Sequence, residues 1–184
     1  MNTTKPPPQA AVTQGDLRGR WQNGVAAFLG VPYAAPPVGP LRFRAPQLTE
    51  PWRGPRDATR PGPAAPQPRS RLADAMGDYT QEQSEDCLTL NVWTPDLTGG
   101  PKPVLVFLHG GGFLSGSGGL DWYSGAELAR HSGIVVVTVN YRLGVLGFLD
   151  TGFEDARNLG VRDQIQALRW VRGTSPRSGA IRTR

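Results

Sequence analysis

The sequence predicts an α/β fold with a mixed, mostly parallel central sheet preceded by short N-terminal strands. Three observations carry this. Residues 104–108 and 134–139 are continuous apolar runs of strand length, the pattern of strands covered on two faces. Residues 158–172 place Val161, Ile165, Leu168 and Val171 at helical spacing. The order strand, loop, helix, strand, helix is that of α/β proteins.

Residues 1–10 are polar and proline-rich and are expected to form a disordered tail. Residues 11–33 read as short hairpin strands broken by Gly, Asp and Asn. Residues 32–68 hold ten prolines from Pro36 to Pro68, which forbids regular structure over most of the stretch. Tyr33, Leu41, Phe43, Leu48 and Trp52 predict that its first half packs against something. Leu88 to Trp93 alternates like a half-buried strand and stops at Thr94-Pro95. A short helix is expected over 124–131, between the two apolar runs. Residues 173–184 have neither periodicity nor an apolar run.

Composition removes several classes. Among 184 residues, 24 glycines and 18 prolines rule out a coiled coil or long helical bundle. One cysteine cannot form an internal disulfide, and with only two histidines a nitrogen–sulfur metal site is not expected. No cofactor is expected either. No stretch approaches the ~18 apolar residues of a membrane helix, and no apolar leader follows Met1. A cytoplasmic protein without a membrane partner is therefore expected. The net charge is +5, but the arginines between Arg42 and Arg71 are interleaved with prolines and acids. They line no helix face, so no nucleic-acid partner is expected.

The first chemical signal is Phe107-Leu108-His109-Gly110-Gly111-Gly112-Phe113. Glycines directly after a buried strand let the backbone turn sharply and present bare N–H groups. Two such groups aimed at one point bind a negative oxygen. No Gly-Lys-Ser/Thr follows, which excludes a phosphate loop.

A second cluster sharpens the reading. Glu85-Asp86-Cys87-Leu88-Thr89-Leu90-Asn91-Val92-Trp93-Thr94-Pro95 resembles a signature segment of the type-B carboxylesterases. Phe28 to Ala34, Leu41 to Pro46 and Asn140 to Gly144 resemble further segments of that family, in the family's order. The resemblance covers residues 11–172 and implies the N-terminal part of an α/β-hydrolase fold, incomplete in this chain. It also implies a small-molecule carboxylic ester as partner, hydrolysed by acyl transfer to serine. Gly111 and Gly112 correspond to two oxyanion-hole donors. Arg42 corresponds to the partner of Glu85, and Arg142 to the partner of Asp163. Cys87 matches a position that is disulfide-bonded in many relatives, and here it is expected as a free thiol.

The departures matter as much. The family's nucleophile sits in G-x-S-x-G, with its acid and histidine later in the chain. These 184 residues contain no such motif. The nearest approach, Gly173-Thr174-Ser175-Pro176-Arg177, lacks the second glycine and follows a helix directly. A proline after the serine would also remove a needed N–H. Neither His109 nor His131 matches the catalytic histidine. His109 is expected to shape the glycine loop, and His131 to be exposed. The chain is therefore expected to be an inactive fragment, with a binding module or an unstable remnant as alternatives. Its two apolar strands would lack neighbours, leaving an open sheet edge through which copies self-associate.

Overall fold

The computed structural model describes residues 5–70, 81–98, 100–150, 152 and 156–174. Ser175 and the residues after it lie outside that set.

Eight strands and three helices are present among the described residues. A small outer sheet has the order β1 (Gln9–Val12), β2 (Gly15–Arg18), β5 (Arg56–Asp57). The main sheet has the order β3 (Arg20–Gln22), β4 (Val25–Pro32), β6 (Thr89–Thr94), β8 (Val135–Val139), β7 (Val104–Leu108). The helices are α1 (Ala126–Ser132), α2 (Gly144–Phe148) and α3 (Leu159–Thr174).

Pairing in the main sheet is antiparallel except between β7 and β8. Parallel neighbours need a crossover that returns the chain to the same end. The segment carrying α1 supplies it. Alternation along the strands then sorts the core into two layers. Ala27, Trp93 and Val136 face one side, where they meet Ala126 and Ala129 of α1. Phe28, Leu90, Val137 and Val139 face the other, with Ala167 and Trp170 of α3.

The proline-rich stretch is nearly free of regular structure, yet it is anchored. Trp52 donates its indole N–H to the Asp16 carbonyl at 2.8 Å, and its backbone N–H reaches Gln14 at 2.9 Å. Tyr33, at the start of the stretch, is buried and donates its hydroxyl to the Asn140 carbonyl at 2.8 Å.

Two expectations change. Gln9 and Ala10, expected in a disordered tail over 1–10, belong to β1, and Pro8 accepts a hydrogen bond from Gly19. Hydrogen-bonding to β2 outweighs local composition there. Strand β7 lies at the edge of the sheet, in keeping with the open edge expected from the sequence, and Leu105 and Leu108 are 40% and 38% exposed. No strand among the described residues pairs with its outer side. Helix α3 presents the face opposite to the one its apolar spacing suggests. Val161, Ile165 and Leu168 are exposed, while Asp163, Gln166, Ala167 and Trp170 are buried. A buried charge with partners fixes that helix more strongly than a stripe of aliphatic side chains.

The open edge has a measurable consequence. Unpaired N–H and C=O groups beside exposed leucine template strand pairing between molecules. Sedimentation of the purified chain is expected to show a mass that rises with concentration. Leu105→Lys is expected to shift the population toward monomer without loss of cooperative unfolding. A concentration-independent monomer for the unaltered chain would show that the edge is quiet.

Candidate functional site

The glycine loop begins where β7 ends. Gly111, Gly112 and Phe113 follow one another with φ of +113°, +61° and +61°. Three successive left-handed residues cannot continue a strand, so the chain doubles back at once. The Gly111 carbonyl is capped by the N–H groups of Leu114 and Ser115 at 3.1 and 3.2 Å. The N–H groups of Gly111 and Gly112 have no acceptor among the described residues, and both glycines are exposed. At Gly111 a side chain is excluded twice, by φ and by the Ser115 carbonyl that a Cβ would strike. At Gly112 a Cβ would meet open space, so only the left-handed φ favours glycine there.

Phe113 is bulky for a left-handed conformation, and such outliers persist where surroundings hold them. Its carbonyl accepts from the Gly144 N–H at 2.8 Å, and its ring packs on Phe148 with centroids 4.8 Å apart. Beside Gly112 lies an open apolar cavity of about 850 Å³. Pro66, Phe113, Leu114, Val145 and Phe148 are among its walls.

Three consecutive residues at the end of β8 hold this loop from below. Asn140 accepts from the Ser117 hydroxyl at 3.0 Å and the Gly118 N–H at 2.7 Å, and donates to the Pro63 carbonyl at 2.9 Å. Tyr141 donates its hydroxyl to the His109 carbonyl at 2.8 Å and stacks on the His109 ring at 4.4 Å. Arg142 binds Asp163 twice through its guanidinium, at 2.7 and 2.8 Å, and once through its backbone N–H at 3.1 Å. It also donates to the Arg44 carbonyl at 2.8 Å.

The ion pairs named from the sequence are both present but unequal. Arg142–Asp163 is fully buried and bidentate. Burial pushes the Asp163 carboxyl above the ordinary carboxylate range, and the guanidinium works against that shift. Arg42–Glu85 is a single contact of 2.7 Å with half of the arginine side chain in water, worth ~0–1 kcal/mol.

His109 is 4% exposed, and burial holds its imidazole below the ordinary range. Its Nδ1 lies 2.9 Å from the Gly110 carbonyl, which can only accept, so the bond requires the Nδ1–H tautomer. His131 is exposed on α1, where it meets only Glu127 and Arg130. Cys87 is buried as a free thiol, pushed up by desolvation to about 12, and so is unreactive at neutral pH.

The sequence did not point to two members of this arrangement. Asn91 receives the Gly30 N–H at 2.9 Å and donates to Gly118 and Thr138, at 3.2 and 3.0 Å. Gln67 holds Gly116 from both sides, donating at 2.8 Å and accepting at 2.6 Å. A buried asparagine in an apolar strand pattern was a usable signal for the first. Gln67 sits among prolines, where local pattern says nothing of its partners.

A model of the carboxylesterase family matches residues 6–175. Phenmedipham hydrolase of Pseudarthrobacter oxydans is 50% identical over 89% of this chain and 33% of its own length. Para-nitrobenzyl esterase of Bacillus subtilis is 46% identical over 89% of this chain and 34% of its own. The crystal structure of the Geobacillus stearothermophilus carboxylesterase EST55 superposes with a TM-score of 0.80 at 44% identity, over 89% of this chain and 33% of that one. The chain thus spans about a third of the length of these relatives. Among the described residues, no helix is long and apolar enough to cross a membrane.

The two glycines differ in a way that denaturation resolves. Gly112→Ala is expected to cost ~1–2 kcal/mol, the strain of a left-handed alanine. Gly111→Ala adds the collision with Ser115 and is expected to cost clearly more, by loss of the loop. Equal unfolding free energies for the two variants would contradict this geometry.

Proposed function

Because the chain belongs to the carboxylesterase family, we propose that it carries the oxyanion-binding part of a carboxylic-ester hydrolase site. The observation that carries the reading is the pair of N–H groups on the exposed Gly111 and Gly112 that have no acceptor among the described residues, with Gly112 lining an apolar cavity. An ester carbonyl gains negative charge on oxygen when a nucleophile adds to its carbon. N–H donors held in place before the reaction stabilise that charge without reorganising. The cavity beside Gly112 suits an apolar acyl or alcohol group, which would orient the ester against the donors. His109, neutral and buried under the loop, shapes the turn rather than moving a proton.

Acyl transfer also needs a nucleophile, a general base and a group to orient that base. The 184 residues offer no G-x-S-x-G. We therefore propose that these residues alone bind ester without turning it over.

Two measurements test this. The purified chain is expected to resist stoichiometric labelling by a fluorophosphonate probe. Labelling at one serine would overturn the claim of inactivity. The donor assignment is tested in a chimera in which residues 11–172 replace the matching segment of the Bacillus subtilis para-nitrobenzyl esterase. There, Gly111→Val is expected to lower kcat ~10²–10³-fold with little change in KM. An unchanged kcat in a folded variant would refute the assignment.

A further inference from the structure

We infer that Gln67 is the positioning residue of the glycine loop, setting where the Gly111 and Gly112 N–H groups point. This rests on reading those groups as oxyanion donors.

The loop is tied to the body of the protein at His109, through Tyr141, and at Phe113, through the Gly144 N–H. Leu114 and Ser115 bond back to Gly111, within the loop. Asn140 secures Ser117 and Gly118 further along. Between these two regions, Gly116 is fixed by Gln67 alone among the described residues. The Gln67 Nε2 donates to the Gly116 carbonyl at 2.8 Å, and its Oε1 accepts from the Gly116 N–H at 2.6 Å. One side-chain amide thus satisfies both backbone groups of one residue, as a neighbouring strand would. A second N–H of the same Nε2 reaches the Ala65 carbonyl at 3.0 Å. The Gln67 backbone N–H is held by the Gln83 side chain at 2.9 Å. The amide is therefore presented from a fixed frame, although it sits in a stretch without regular structure.

Gly116 transmits that position to the start of the loop. It packs so closely that a Cβ there would fall 2.5 Å from the Gly110 carbonyl oxygen and 2.5 Å from His109 Nδ1. Drift of Gly116 toward His109-Gly110, the two residues that lead into Gly111, would therefore displace them. Gln67 also borders the apolar cavity. It links the cavity wall to the donors without touching the donors themselves.

The carboxyl group offers a test, because a protonated carboxyl mimics an amide: its C=O accepts and its O–H donates. An ionised carboxylate can still accept from the Gly116 N–H but faces the Gly116 carbonyl with a second acceptor. The reporters are the Leu114 and Ser115 amides, whose exchange reads opening of the loop, with Val137 in the sheet as control. Rates are divided by those of an unstructured peptide at each pH. In the full chain, Gln67→Ala is expected to speed exchange of the two reporters ~10–100-fold and to leave Val137 unchanged. In Gln67→Glu, exchange is expected to match Gln67→Ala at neutral pH and to return toward the unaltered rate as the introduced carboxyl protonates, near or above ~4.3. Ala65, Gln83 and Gly116 bring no titratable side chain to the amide. His109, which touches Gly116, is common to every variant, so the unaltered chain controls for it.

Reporter rates in Gln67→Glu that stay flat with pH would overturn the inference. So would exchange that rises equally at Val137, since that describes a residue supporting the whole fold. If Gln67→Ala does not fold, the pH series of Gln67→Glu decides alone. The outcome is independent of ester chemistry, because exchange is read without substrate. A chimera without oxyanion-donor behaviour at Gly111 would refute the functional reading and leave the positioning result standing.

Discussion

Arg142 and Asp163 place two full charges where water does not reach, and the fold around the loop follows from the need to satisfy them. A carboxylate removed from water demands donors, and Asp163 receives three from one residue. The guanidinium has a further N–H to satisfy and spends it on the Arg44 carbonyl, in the proline-rich stretch. One pair thereby locks the end of β8, the inner face of α3 and a segment without secondary structure. It also holds the Asp163 face of α3 against the core. Val161, Ile165 and Leu168 would gain more by burial than glutamine or threonine, yet they are outside. Leaving a charge buried without its partner costs ~3–5 kcal/mol.

The two residues before Arg142 turn the same anchor toward the loop. Asn140 holds the far limb of the loop through Ser117 and Gly118, and Tyr141 holds the near limb through His109. The left-handed run Gly111-Gly112-Phe113 is unfavourable on its own for the phenylalanine, and it persists because both limbs are fixed. On a scaffold this constrained, the N–H groups of the exposed Gly111 and Gly112 have no acceptor among the described residues. Such groups are costly when buried and useful when a ligand oxygen can reach them. The loop emerges from the edge strand β7, so it stays exposed while its anchors remain in the core.

Much of this was legible in the sequence, for physical reasons. Apolar runs bounded by breakers located β7 and β8, although only β8 is largely buried among the described residues. The glycine triplet marked the loop because few other residues tolerate its backbone. The pairs Arg42–Glu85 and Arg142–Asp163 were named from the resemblance of short segments, but their inequality was not, since burial is a tertiary property. The inside of α3 was misread because periodicity weighs hydrophobicity and takes no account of a paired charge. Gln67 and its two bonds to Gly116 were invisible, since nothing in a proline-rich sequence tells which carbonyl an amide will meet 49 residues later.

The central claim is that the buried pair acts as a unit on which the strand end and helix depend. A double-mutant cycle by chemical denaturation at low protein concentration tests it most directly, with Arg142→Ala, Asp163→Ala and both together. Each single change is expected to cost ~3–5 kcal/mol, because each strands a charge in the interior. The double change is expected to cost far less than the sum, giving a coupling of ~2 kcal/mol or more. Losses that add within ~0.5 kcal/mol, or single losses below ~1 kcal/mol, would contradict the account.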